Sequence, residues 1–124
     1  MNVYEPITAF VIFTFLDIAF ITVNNISFMK QIKDVQKGSM DSINKIGALG
    51  AYICLFVGLY WFILRERRSP IDAGILGIVI NGTYEFTNYT FLKDWKIDTV
   101  IKDTIWGFFL WYGTTWATYQ IFPK

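Results

Sequence analysis

The sequence contains no histidine and a single cysteine, Cys54, in 124 residues. Without histidine there is no imidazole base and no His/Cys zinc site, and one cysteine cannot form an intramolecular disulfide. Charged residues make up only 17%, against roughly 25% in a soluble domain. The net charge of +1 provides no basic surface for nucleic acid. We therefore expect no histidine-based catalysis and no nucleic-acid partner.

Apolar residues are abundant instead, at 54%, with aromatics at 19%. About 20 mostly apolar residues are needed for a helix to cross the hydrocarbon of a bilayer. Four segments qualify, at about 6–23, 46–64, 71–92 and 100–122, of which the third is the most polar. The first lacks the basic start and cleavage site of a signal peptide. We predict an all-α, polytopic integral membrane protein: one domain over residues 1–124, with four transmembrane helices in a bundle.

Residues at the helix ends refine this prediction. The run Ser69-Pro70-Ile71-Asp72 has the form of a capping box with proline at the first helical position, so it predicts the start of helix 3. Phe28, Met29, Ile32 and Val35 keep an apolar helical face beyond the first span, which Gly38 ends. Ser39 or Asp41 is then expected to cap helix 2. Interfacial anchors are expected at Tyr60, Trp61, Trp95, Trp116 and Tyr119.

The charges that flank the spans leave the orientation open. Six lysines lie on the side of the loops near residues 30–45 and 93–96, against four basic residues on the side of the termini. This count mildly favours termini outside the cytosol, since cytosolic loops carry more Lys and Arg. The dense cluster at 65–68 argues for the opposite orientation.

Three carboxylates fall inside the apolar segments: Asp17, Glu85 and Asp103. A charge at mid-membrane costs at least about 2.5–3.5 kcal/mol, so these groups should face the bundle interior. Asn81, Glu85 and Asn88 share one face of helix 3. Thr14, Asp17 and Asn24 do so on helix 1, and Asp103, Gly107 and Thr114 on helix 4.

Two interpretations of these polar faces stay open. The acids and amides form one buried site that relays protons, holds a cation or binds a polar head group, with Glu85 as its best candidate. Alternatively, they hydrogen-bond helix to helix, or pair with Lys102 or an arginine near the interface. Small residues at Gly47 with Ala51, and at Gly74 with Gly77, are typical of close helix packing. No metal-ligand spacing, phosphate-binding loop or nucleophile elbow is present, so we expect no metal, no cofactor and no catalytic residue.

Three runs in the second half carry a family resemblance: Tyr84-Glu85-Phe86-Thr87-Asn88, Leu92-Lys93-Asp94-Trp95 and Asp103-Thr104-Ile105-Trp106-Gly107. They resemble the domain-of-unknown-function 2177 family of small four-span membrane proteins, whose early Leu-Asp pair is matched by Leu16-Asp17. Two departures are Glu85, where members carry Asp, and Ile18-Ala19-Phe20, where members tend to have aromatics ending in Trp. The resemblance implies a signature set of Asp17, Tyr84, Glu85, Thr87, Asn88, Lys93, Trp95, Asp103, Trp106 and Gly107.

The resemblance implies no reaction, so three functions compete. We favour a structural or assembly component of a membrane, with partners among other membrane or capsid proteins or further copies of the chain. The family occurs in bacteria, algae and large DNA viruses, which makes a virion membrane one candidate location. The first alternative is a small oligomeric transporter or proton-coupled carrier, similar in layout only to small multidrug-resistance transporters. The second is a lipid-binding or lipid-modifying protein.

Overall fold

The computed structural model describes residues 2–24, 30 and 44–124, which are mostly helical. Helix α1 spans Tyr4–Val23, and α2 spans Lys45–Leu59 and continues as a π-helical turn over Tyr60–Leu64. Helices α3 and α4 span Pro70–Phe91 and Ile97–Ile121. No strand occurs in the described ranges. The expected all-α bundle of four helices is confirmed.

The helix starts follow local capping chemistry. Ser69 Oγ accepts a hydrogen bond from the Asp72 backbone N–H at 3.2 Å, with Pro70 as the first helical residue, so the predicted cap of α3 is confirmed. Helix α2 begins after Asn44, whose Oδ1 accepts from the Gly47 N–H at 3.0 Å. The predictions on Phe28, Met29, Ile32, Val35, Gly38, Ser39 and Asp41 lie outside the described residues.

Two helices are long and apolar enough to cross a membrane. They are Tyr4–Val23 and the combined Lys45–Leu64, with mean hydropathies of 2.1 and 2.0. Only 11% of each apolar window is buried, which is unlike the core helix of a soluble protein. Helices α3 and α4 are longer but more polar, so their crossing of the membrane stays a prediction.

Helix α4 is the central element, because it packs closely against α3 and also along α1. The backbones of α3 and α4 touch where Gly77 meets Gly107: a Cβ on either glycine would collide with the carbonyl oxygen of the other. A Cβ at Gly74 would likewise meet the Phe108 ring. The expected close packing at Gly74 and Gly77 is confirmed, whereas Gly47 and Ala51 are exposed, so that prediction was wrong.

Helix α2 joins the bundle through aromatic side chains. Phe56 stacks on Phe10 of α1, with ring centroids 4.5 Å apart. Phe13 meets both Phe56 and Trp111 edge to face, at 6.0 and 5.4 Å. Around these rings the core contains Ala9, Leu59, Ile63, Leu64, Ala73 and Leu110.

The outer surface of the bundle is far more apolar than that of a soluble protein. Large apolar side chains such as Val11, Phe15 and Phe109 are exposed. The buried polar set is Glu5, Glu85, Thr99, Thr114, Thr115 and Thr118. Soluble proteins rarely expose large contiguous apolar surfaces, whereas hydrocarbon is a good solvent for them. This surface suits a lipid environment.

Arg67 connects α1 and α4 at the end of the bundle that contains the N-terminus of α1. Its Nη1 donates to Glu5 Oε1 at 3.2 Å, and its Nη2 donates to the Phe122 carbonyl at 2.7 Å. Its guanidinium also lies 4.4 Å from the centroid of the Tyr119 ring. The backbone of Arg67 takes a φ of 49°, a left-handed conformation that is uncommon outside glycine. The α2–α3 loop is thereby tied to α1 and to the end of α4.

Candidate functional site: an acidic cavity

The three acids that the sequence places inside predicted spans lie at one level of the bundle. Asp17 is six residues before the end of α1, Glu85 six before the end of α3, and Asp103 six after the start of α4. These three helix termini lie at the same end of the bundle, opposite the Arg67 cluster. At about 1.5 Å per residue, each carboxyl is about 9 Å inside that end.

The acids line one cavity of about 260 Å³. Its walls come from all four helices and the α3–α4 loop, and consist of Phe13, Asp17, Phe20, Ile21, Leu55, Asn81, Tyr84, Glu85, Trp95, Asp103 and Leu110. None of these residues is basic. Tyr84 is 58% exposed and therefore stands at the mouth of the cavity.

Glu85 is the most buried of the three acids, at 2% exposure. Its Oε1 accepts a hydrogen bond of 2.9 Å from the indole Nε1–H of Trp95, in the loop that joins α3 to α4. The carboxyl group of Asp103 lines the same cavity. Trp95 is only 9% exposed: its ring is turned inward, where its N–H has a carboxylate partner. Its prediction as an interfacial anchor concerns depth in the membrane and stays a prediction.

Asp17 connects three helices. Its Oδ2 accepts from the Tyr52 hydroxyl of α2 at 2.7 Å, and its Oδ1 accepts from the Trp106 indole of α4 at 3.2 Å. Phe20 stacks on Trp106 with ring centroids 4.5 Å apart and planes within 5°. The turn that follows Asp17 is thus held against α4 by an aromatic contact.

The predicted polar face of α3 is divided. Asn81 donates its amide to the Asp103 backbone carbonyl at 3.0 Å and, with Glu85, lines the cavity. Asn88 is half-buried but does not line the cavity, and Thr87 is exposed. Lys93 is also exposed, in the α3–α4 loop.

The polar faces of α1 and α4 each contribute one acid to the cavity, Asp17 and Asp103 respectively. Asn24 lies beyond the cavity, where its side chain accepts from Lys102 Nζ at 3.0 Å and donates to the Phe20 carbonyl at 2.9 Å. Thr14 and Thr114 do not line the cavity either. Gly107 is at the helix crossing rather than in the cavity wall.

The acids of the cavity have uncharged donors as partners. Among the described residues, none of the ion pairs involves Asp17, Glu85 or Asp103. The expected pairing with Lys102 is made by the amide Asn24 and not by one of these acids. In the same part of the chain, no group of three His, Cys, Asp or Glu side chains is arranged to hold a metal ion.

Comparison with known proteins identifies the family to which the chain belongs. The profile of the family described as "Predicted membrane protein (DUF2177)" matches residues 3–120. The chain belongs to this family. The resemblance seen in residues 84–107 is thus confirmed, and the chain is a predicted membrane protein of a family without an assigned function. Searches among curated proteins and among solved structures each found no match.

Much of the signature set implied by this DUF2177 membership converges in the structure. The residues of the set that line the cavity are Asp17, Tyr84, Glu85, Trp95 and Asp103. Trp106 does not line it, but its indole N–H donates a hydrogen bond to Asp17. Gly107 sets the close approach of α3 and α4.

Sequence reasoning missed two polar contacts. Tyr52 was overlooked among the apolar residues of helix 2, although its hydroxyl inside a predicted span needed a partner. Glu5 was overlooked because it lies just before the predicted first span, although the arginines at 65–68 were expected at the same end of the bundle.

Proposed function

We propose that the protein is a four-span integral membrane protein whose acidic cavity binds a small organic cation, in exchange for a proton. The observation that carries this proposal is the convergence of three carboxyl groups, from three helices, on one cavity without a basic residue in its lining. An occupant of positive charge would supply the counter-charge that the described chain does not.

The lengths and outer faces of α3 and α4 support four spans. Their 22 and 25 residues correspond to about 33 and 38 Å, enough for the roughly 30 Å of hydrocarbon. Their outward side chains include Val79, Ile105 and Phe109, which are more than half exposed. The polar residues that lower their hydropathy include Asn81 and Glu85, which face the cavity.

The cavity wall favours an organic cation over a bare metal ion. Four aromatic rings, those of Phe13, Phe20, Tyr84 and Trp95, line it beside the acids. Aromatic faces attract ammonium groups, and desolvation strengthens that attraction. The volume of about 260 Å³ is slightly below the roughly 300–1,000 Å³ of sites for drug-sized ligands, so the occupant is small.

The presence of Glu85 and Asp103 in one cavity supports the exchange. When two carboxyl groups share a site, a proton on one of them is favoured, because two negative charges repel each other. A cation that enters between them takes the place of that proton, and the charge of the cavity is conserved. One proton leaves for each monovalent cation bound.

Cation titration of the purified protein in nanodiscs tests this proposal. Tetramethylammonium and methylammonium are added in weakly buffered solution, with sodium for comparison, while tryptophan fluorescence and pH are recorded. We expect saturable binding of an organic cation with release of one proton. Glu85→Gln should weaken binding at least about 30-fold, because truncating one partner of a buried charge pair costs about 2–5 kcal/mol.

Asp72→Asn is the matched control, since it also neutralises a carboxylate of α3, but at the helix start and outside the cavity. It should leave binding unchanged. Absence of binding of either ammonium ion by folded wild-type protein would refute the proposal, as would equal weakening by both substitutions.

A structural or assembly role is the second candidate. It is favoured by the hydrogen bonds of Asp17, which join α1, α2 and α4 and would serve as internal helix contacts without any ligand. Its partners would be other membrane proteins, including capsid-associated ones, or further copies of the chain. Stoichiometric proteins that co-purify from the native membrane, together with no response to cations, would favour it.

A further inference from the structure

An apolar groove lies at the end of the bundle opposite the acidic cavity. It has a volume of about 680 Å³ and runs between the start of α1 and the end of α2. Val3, Pro6 and Phe10 form one wall, and Ile53, Phe56 and Trp61 the other. From Trp61 to Ile53 the groove extends eight residues along α2, which is about 12 Å toward the bilayer centre.

Arg65 is placed at the outer end of this groove. Its guanidinium carbon lies 3.8 Å from the centroid of the Trp61 ring, so the cation is stacked on a residue of the groove wall. Its ion-pair partner is the neighbouring Glu66, at 3.4 Å, with both side chains exposed. Such exposed pairs contribute little to stability, so this pairing leaves the guanidinium available to a stronger acceptor.

The other two arginines of the cluster do not contact the groove. Arg67 pairs with the buried Glu5 and with a backbone carbonyl. Arg68 pairs with Asp72 at 3.2 Å, and both line a separate surface pocket between α2 and α3. Arg65 is therefore the member of the cluster that is placed to bind a ligand at the groove.

We propose that this groove and Arg65 form a binding site for an anionic glycerophospholipid of the surrounding bilayer. One acyl chain lies in the groove, against Phe10 and Phe56, and the phosphate accepts hydrogen bonds from the Arg65 guanidinium. Guanidinium groups bind phosphate in a bidentate manner, and Trp and Tyr are typical of head-group depth. Charge complementarity selects a lipid over a second copy, because a parallel copy in the groove would bring its own arginine cluster against this one.

Photocrosslinking of the unmodified protein tests the site without relying on a variant. A phosphatidylglycerol with a diazirine in one acyl chain is added to the protein in phosphatidylcholine nanodiscs and irradiated, and labelled peptides are identified by mass spectrometry. We expect labels on Ile53, Phe56 or Val57. Unlabelled phosphatidylglycerol should compete far better than added phosphatidylcholine.

Three single substitutions then test the role of the charge. Arg65→Gln should weaken competition by phosphatidylglycerol about fivefold, the factor that matches about 1 kcal/mol per arginine at an anionic surface. Glu66→Gln should strengthen it, because the competing carboxylate is removed. Lys45→Gln, the same charge change at the opposite end of α2, should have no effect.

Three results would overturn the proposal. They are equal competition by the two lipids, labels spread evenly around α1 and α2, and a protein dimer that excludes the lipid from the groove. Because the groove and the acidic cavity share no residue, none of these results bears on the cation site.

Discussion

Replacement of Tyr52 by phenylalanine measures how firmly α2 is attached to the rest of the bundle. The Tyr52 hydroxyl donates a hydrogen bond to the Asp17 carboxylate at 2.7 Å. This bond joins α2 to an acid of the cavity wall. The ring itself remains after the substitution, with its contact to Phe56 at 5.9 Å. The change therefore removes one hydrogen bond and little packing.

The size of the effect follows from the environment. Hydrogen bonds to charged groups contribute about 1.5–3 kcal/mol in soluble proteins, whereas interhelical bonds in membranes average about 0.6 and reach about 1.7 kcal/mol. Asp17 keeps its second donor, the Trp106 indole, at 3.2 Å. We therefore expect Tyr52→Phe to lower the free energy of unfolding by about 1 kcal/mol.

A double-mutant cycle with Asp17→Ala, followed by reversible unfolding in mixed micelles, isolates this bond. The coupling energy should be close to the effect of Tyr52→Phe alone. Tyr60→Phe on the same helix is the control, since its hydroxyl makes no hydrogen bond within the described part of the chain. Additive effects of the two substitutions would show that the Tyr52–Asp17 bond does not stabilise the bundle.

Three further predictions concern other parts of the structure. Gly77→Ala should prevent the close packing of α3 and α4 and abolish a cooperative unfolding transition. Gly82→Ala should fold normally, because its Cβ would lie 3.4 Å from its nearest neighbour. Arg67→Lys should lower the thermal midpoint markedly, since one ammonium cannot reproduce the guanidinium contacts and loss of a partner from a buried charge such as Glu5 costs about 3–5 kcal/mol. Cys54, exposed midway along α2, should resist a water-soluble maleimide in liposomes and react after solubilisation in denaturing detergent; labelling in intact liposomes would contradict a lipid-facing α2.

The helices could be predicted from the sequence because hydrophobic segments and caps are local signals. The Ser69 cap and the start of α3 at Pro70 depend on residues within one turn of each other. The polar character of α3 was also visible, and the structure gives its reason: Asn81 and Glu85 face a cavity rather than lipid.

The partners of the acids could not be predicted, because they depend on helix order and rotation. The Trp95 indole lies ten residues from Glu85, but Tyr52 is 35 residues and Trp106 is 89 residues from Asp17. No periodicity within one helix specifies such contacts. The common level of the three acids could not be read from the sequence either, because the predicted fourth span began at residue 100, whereas α4 begins three residues earlier, at Ile97.

That level has an electrical consequence. In the proposed four-span arrangement, the bundle crosses roughly 30 Å of hydrocarbon, and a site about 9 Å inside one end lies about a third of the way through the transmembrane field. Moving one charge across the full field changes its free energy by about 2.3 kcal/mol per 100 mV. The free energy of a cation that enters this cavity from the near side would therefore change by about 0.7 kcal/mol per 100 mV. The occupancy of the cavity would then change about threefold per 100 mV. A membrane potential of one sign would favour cation binding, and a potential of the opposite sign would favour its release.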